Sequence, residues 1–134
     1  MKILLDTHAL LWFFAGHENM SQVSRVLVED IQNLKLISIA SVWEMAIKQS
    51  QGRLNLGQDA THYIVSKLTF EDFSILPIQL NHLELICRLP FYHRDPFDRL
   101  LISQSIVEQV PILTKDKLFE KYPVTCIWDS APQD

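Results

Sequence analysis

The sequence predicts an α/β fold: a central parallel sheet of about five strands, covered by helices on both faces, in a single domain spanning 1–134. Three observations predict it. Short apolar runs without polar alternation, such as Ile3-Leu4-Leu5 and Pro111-Ile112-Leu113-Thr114, have the pattern of strands buried on both faces. Segments with helical spacing separate the runs, as crossovers between parallel strands require. Both named runs lead into an acid at the carboxyl end, Asp6 and Asp116, where open α/β sheets bind their ligands. The strand order does not follow from the sequence.

The chain has 134 residues, 48% of them hydrophobic, which is enough for a proper core. Its net charge of −4 argues against a protein that coats nucleic acid through overall basicity. Local basic patches stay open, since Lys48, Arg53, Arg88, Arg94, Arg99, Lys115 and Lys117 are available. Cys87 and Cys126 sit singly without CxxC or metal spacing and read as reduced core residues of a cytosolic protein. Met1 to Ala15 superficially resembles a signal peptide, but Asp6 and His8 interrupt its apolar run. No segment approaches the length of a membrane span, so a cytoplasmic location is expected. There is no internal repeat, low-complexity stretch or linker.

Strand Ile3–Leu5 is followed by a helix from Thr7 through Phe14, stopped near Gly16. Asp6 also has the residue type that caps that helix. Val23, Val26, Leu27 and Ile31 give helical spacing to Ser21–Ile31, and Leu34–Ile37 reads as the second strand. Ser38 caps a helix carrying Ser41, Glu44 and Lys48 on one side, where the ordinary alternative is a surface Glu–Lys pair worth a few tenths of a kcal/mol. A turn-rich connector, Gln51–Gly57, leads to a helix over Asp59–Phe70 with Tyr63, Ile64 and Leu68 inward. Ile75–Ile78 is the third strand, and its Pro77 marks an edge or a strand end. A helix from Asn81 to Leu89 closes at Pro90, and Lys117–Lys121 and Val124–Ile127 give a short helix and a fifth strand. The tail after Trp128 is polar and expected to be loose.

The stretch His93-Arg94-Asp95-Pro96-Phe97-Asp98-Arg99 starts the helix that runs to about Glu108. Asp95 suits its cap and Pro96 its first position, which puts Asp98 in the first turn. Leu101, Ile102, Ser105 and Ile106 follow Asp98 at helical spacing, so this acid heads an inward stripe. Such an acid must cap, pair or hold a metal, and a capping box with Asp95 is the ordinary alternative.

Asp6, Glu44, Asp98 and Asp116 are all expected near one sheet edge. Crowded carboxylates raise one another's pKa unless a cation joins them. All-oxygen ligands suit Mg²⁺ or Mn²⁺, and the chemistry this set points to is metal-dependent phosphodiester hydrolysis. No Ser or Cys nucleophile with a nearby His, no GxGxxG and no P-loop is present, and of five histidines only His93 is placed near the cleft.

The motifs Asp6-Thr7-His8-Ala9-Leu10-Leu11-Trp12, Ser41-Val42-Trp43-Glu44 through Lys48, Gly52-Arg53-Leu54, His93 through Arg99, and Leu113-Thr114-Lys115-Asp116 resemble, in order, those of PIN-domain proteins. More narrowly, they resemble the VapC-like toxins of bacterial toxin–antitoxin modules, over nearly the whole chain. The resemblance implies a Rossmann-like three-layer sandwich and a Mg²⁺- or Mn²⁺-dependent endoribonuclease, with a homodimer and a VapB-like antitoxin as partners. It assigns Asp6, Glu44, Asp98 and Asp116 as the catalytic, metal-binding quartet, with Asp6 and Asp98 the firmest ligands. Arg94, Arg99 and Lys48 are candidate phosphate contacts, with ion pairing to the acids as the structural alternative. Two other classes compete: an RNA- or partner-binding module without cleavage, and an aspartyl phosphotransfer or phosphatase domain. The second usually wants another acid beside the first-strand Asp, where Thr7 and His8 stand here.

Overall fold

A computed structural model describes residues 1–130, and the part of the polar tail at 131–134 lies outside the described residues. The chain runs β1 (Lys2–Leu5), α1 (Thr7–Ala15), α2 (Gln22–Glu29), β2 (Leu34–Ser38), α3 (Ile39–Ser50), α4 (Ala60–Lys67) and β3 (Phe73–Leu76). It continues through α5 (Leu80–Ile86), α6 (Pro96–Glu108), β4 (Ile112–Leu113), a 3-10 helix (Lys117–Lys121) and β5 (Cys126–Ile127). All strand pairs are parallel, in the order β3-β2-β1-β4-β5.

The order explains where a site can form. From β1 the chain moves outward through β2 to β3, then returns to place β4 on the other side of β1. The carboxyl ends of β1 and β4 therefore flank the topological switch point, the crevice where such sheets bind ligands. The Asp6 N–H donates to the Leu113 carbonyl at 3.0 Å and fixes the two ends side by side.

Successive β1 side chains divide the core in two. Ile3 and Leu5 pack with Leu10, Met45 and Ile64 from α1, α3 and α4 on one face. Leu4 packs with Leu101, Ile102 and Phe119 on the other, under α6 and the 3-10 helix. This is the expected three-layer sandwich, and α6 is buried around most of its circumference.

Local capping sets most boundaries. Asp6, Ser21, Ser38, Asp59 and Asp95 each accept a backbone N–H at the start of a helix. Gly16 ends α1 in the left-handed region at φ 63°, where glycine is free of the Cβ penalty.

Several expectations need correction. The Ser21–Ile31 helix ends at Glu29, and the spacing misjudged its inner face: Val26 and Ile31 are exposed, while Ser24 and Val28 are buried. β3 begins at Phe73, two residues before the expected Ile75, and it ends at Leu76, ahead of Pro77, which cannot donate to the sheet ladder. The helix after Pro77 is shorter than expected and ends at Ile86. Cys87 is exposed and Cys126 half-buried, so neither is the core residue that apolar neighbours suggested.

One core position has no sequence signal. Lys35 on β2 is fully buried, with its ammonium donating to the Asp30 carbonyl and the Asp72 carboxylate. Asp72→Asn keeps an acceptor but removes the compensating charge. It is expected to lower stability by about 2 kcal/mol, read as a drop in denaturation midpoint at unchanged m-value. An unchanged midpoint would mean that the ammonium finds its compensation elsewhere.

Candidate active site

Asp6 leaves β1 at the switch point and is 6% exposed. Its Oδ1 accepts the His8 N–H at 2.8 Å, and its Oδ2 accepts the Thr114 hydroxyl at 2.6 Å. Burial raises its pKa, while these hydrogen bonds hold the rise back. Thr114 also accepts the Asp116 N–H at 3.1 Å. One hydroxyl thus ties together the acids that follow β1 and β4.

Glu44 reaches the same region from α3 and is 7% exposed. Its Oε1 accepts the Thr7 hydroxyl at 2.8 Å, and its Oε2 meets the Lys48 ammonium at 2.9 Å. The Thr7 and Ser41 hydroxyls also lie 2.8 Å apart. Thr7 has one proton, which the carboxylate takes, so Ser41 donates to Thr7. The i,i+4 pair with Lys48 expected as the ordinary alternative does form, but it is largely buried and anchors Glu44.

Asp98 sits at the third position of α6, half-buried. Its neighbour Asp95 caps the helix, accepting the Phe97 and Asp98 N–H groups at 2.8 and 3.2 Å. No reciprocal capping box forms, and among the described residues no donor reaches the Asp98 carboxylate. Its pKa is pushed up to about 7, first by desolvation and then by the charges of Asp95, Asp6, Glu44 and Asp116. Asp98 is the uncompensated acid of the group.

Asp116 caps the 3-10 helix through the Leu118 N–H at 2.9 Å. Its other oxygen lies 2.9 Å from His93 Nε2. Ligand atoms of His93, Asp98 and Asp116 lie within 4.8 Å of one another, the one such potential metal group among the described residues. Asp6 and Glu44 border this group, and their charges act on Asp98. Beside it, Asp6, His8, Trp12, Lys115 and Asp116 line an open depression of about 430 Å³.

The candidate phosphate contacts separate. Arg94 is exposed and follows His93 in the chain. Lys48 is committed to Glu44. Arg99, in contrast, is 5% exposed and donates to the carbonyls of Pro90, Ile86 and Leu89 at 2.8, 3.1 and 3.2 Å. It braces the end of α5 instead of facing the cleft. Cys126 offers no alternative nucleophile, since burial and the nearby Glu120 and Asp116 push its thiol up to about 11.

Sequence reasoning missed Thr7, Ser41 and Thr114, which orient the acids, and His8, which lines the depression. Thr7, Ser41 and Thr114 stand inside the quoted motifs, and that proximity was the available signal.

The state of Asp98 predicts a link between pH and ion binding. A folded-state value near 7, against the usual 3.8, means the metal-free fold holds a proton that the unfolded chain has lost. Metal-free stability therefore falls as pH rises from about 4 through about 7. A divalent cation held by Asp98 would take the ionised form, so any rise in melting temperature on adding Mn²⁺ or Mg²⁺ is expected to grow across that interval. A gain that is flat or shrinks with pH would remove Asp98 from the ion site.

No curated protein sequence matches the chain. Its fold is similar to a chain in the VapBC2 complex of Rickettsia felis bound to promoter DNA, with TM-score 0.72 and 17% identity, covering 96% of this chain and 100% of that one. It is similar to a chain of a toxin–antitoxin complex from Klebsiella pneumoniae, with TM-score 0.64 and 16% identity over 96% and 98% of the two chains. A chain of DNA-bound VapBC from Salmonella typhimurium gives TM-score 0.63 and 14% identity over 95% and 97%. At such identities the likeness is one of fold. The PIN domain model matches residues 3–124, which include the switch point and all four acids of the site but stop before β5, and the chain belongs to the PIN domain family.

Proposed function

We propose that this protein is a Mg²⁺- or Mn²⁺-dependent endoribonuclease, acting as the toxin of a toxin–antitoxin pair. The observation that carries the reaction is the Asp98 carboxylate, which has no donor among the described residues and feels the charges of Asp6, Glu44 and Asp116. A cation resolves that repulsion, and an oxygen-rich donor set fits a hard divalent ion. Asp6 and Asp98 are the proposed principal ligands, with Glu44 and Asp116 completing the set directly or through water. Such an ion supplies Lewis acidity toward a phosphodiester and lowers the pKa of water.

The chain's own residues do the positioning. Thr114 and Thr7 aim Asp6 and Glu44, and Lys48 offsets the Glu44 charge without leaving the site. Trp12 supports RNA as substrate: its ring lies 5.5 Å from His8 and 5.7 Å from His17, with the Lys115 ammonium 5.8 Å away. Stacking surfaces beside a cation suit unpaired bases and their backbone. The exposed Arg94 is the guanidinium proposed for phosphate contact.

The structural neighbours, two VapBC complexes and one toxin–antitoxin complex, support a VapB-like antitoxin as partner. A homodimer and a cytoplasmic site of action belong to the same proposal. Among the described residues no helix is long and apolar enough to cross a membrane.

The test is cleavage of a cellular RNA pool by the purified full chain, freed of any antitoxin, with Mg²⁺ or Mn²⁺ and with EDTA. Discrete internal cleavage that EDTA stops is expected. Folded protein that binds RNA to saturation with either ion, and leaves it intact, would overturn the nuclease in favour of a binding module.

A further inference from the structure

We propose that His93 is itself a metal ligand through Nε2, giving the site a mixed nitrogen–oxygen donor set that favours Mn²⁺ over Mg²⁺. The proposal rests on the metal-site reading above and goes beyond its acidic quartet.

The ring is held in place before any ion arrives. His93 is 6% exposed, edge-on to Phe119 at 4.8 Å and stacked with Tyr122 at 5.6 Å. Its backbone N–H donates to the Tyr122 hydroxyl at 2.9 Å, and Nδ1 lies 3.3 Å from the same oxygen. Nε2 then points at the acids, 2.9 Å from Asp116 Oδ2. Two neighbouring ligands around an ion with bonds of roughly 2.1 Å lie about 3 Å apart, so this spacing suits a shared cation.

The hydrogen-bond network accommodates both states. Without an ion, Nε2–H donates to Asp116 and the Tyr122 hydroxyl donates to Nδ1. With an ion on Nε2, the ring proton moves to Nδ1 and donates to Tyr122, whose own proton turns to the Pro90 carbonyl at 3.4 Å. The Tyr122 oxygen then accepts two hydrogen bonds and donates one, its full capacity. Ligating imidazoles characteristically give their second ring N–H to an oxygen acceptor, and the Tyr122 hydroxyl supplies one here. The change shifts protons between atoms and leaves no buried group without a partner.

The donor set decides the preference. Carboxylates accept Mg²⁺ and Mn²⁺ alike, whereas imidazole suits transition ions and offers little to Mg²⁺. The test loads the full chain with one equivalent of Mn²⁺ and reads nitrogen coupling by electron spin-echo modulation, alongside Mn²⁺ and Mg²⁺ affinities by titration. Coupling from a directly bound imidazole is expected in the native chain and in His8→Gln, and absent in His93→Gln. His93→Gln is also expected to weaken Mn²⁺ roughly tenfold or more and Mg²⁺ less than about twofold.

The native-chain spectrum needs no variant to fold. Bound Mn²⁺ without imidazole coupling overturns the His93 proposal and leaves the acidic site standing. So does coupling that survives His93→Gln but disappears in His8→Gln. A folded chain that binds no Mn²⁺ at all overturns the His93 proposal and the metal site together.

Discussion

Asp98→Asn is expected to lower RNA cleavage by roughly a hundredfold or more, while raising the metal-free melting temperature above neutral pH. Both effects come from one cause. The native carboxylate sits half-buried with no donor among the described residues and is pushed up to about 7 by desolvation and by neighbouring acids. Asparagine removes the charge that the proposed cation needs, and with it the repulsion that the metal-free fold tolerates. A loss of function accompanied by a gain in stability marks a group kept for its chemistry. The same variant loses most of the melting-temperature gain that Mn²⁺ gives the native chain. The measurements are single-turnover cleavage of a defined RNA and thermal unfolding at alkaline pH, with and without ion. Cleavage equal to that of the native chain would place the reaction elsewhere. Lost activity with lowered metal-free stability would show a structural role for Asp98 instead.

Arg99→Met is expected to destabilise the fold by about 3 kcal/mol, because it leaves buried carbonyls without donors. The Arg99 guanidinium serves Ile86, Leu89 and Pro90, which lie at and just beyond the end of α5 where the helix dipole favours a cation. It also lies against the Phe91 ring, 4.0 Å from its centre. Methionine matches the aliphatic stem but offers no donor. Arg99→Lys is expected to fall between, since one ammonium cannot replace a planar fork that reaches three oxygens. The loss matters to the site because this brace holds the turn from α5 to α6, and that turn carries His93 and Asp95. Denaturant unfolding measures it. A loss below about 1 kcal/mol, combined with weakened RNA binding, would return Arg99 to the role of phosphate contact.

These expectations draw on different levels of the molecule, and the sequence reached them unequally. The cap of α6 was legible because Asp-Pro followed by an apolar stripe is a local pattern, and Asp98 fell at its third position as counted. Asp6 and Asp116 were placed at strand ends by the apolar runs preceding them. Arg99 was not legible, since helical spacing alone does not say that α5 ends against that face of α6. Nor did anything in the Leu34–Ile37 pattern mark Lys35 as a buried cation; its partner Asp72 lies in a different crossover, 37 residues away.

By itself the sequence determined the order of strands and helices, the caps at Asp6, Ser38 and Asp95, and four candidate acids, three at strand or helix starts or ends and Glu44 about a turn into α3. Those features depend on interactions within a turn or two of the chain, where side-chain type and spacing are enough. Only the tertiary structure decided that β1 lies between β2 and β4, which brings Thr114 to Asp6 across 108 residues. It alone turned His93 inward against Tyr122 and Asp116 and committed Arg99 to the end of α5. The physical reason is that such contacts form between surfaces closed by the packing of the whole core, and local propensity carries no record of which surfaces meet.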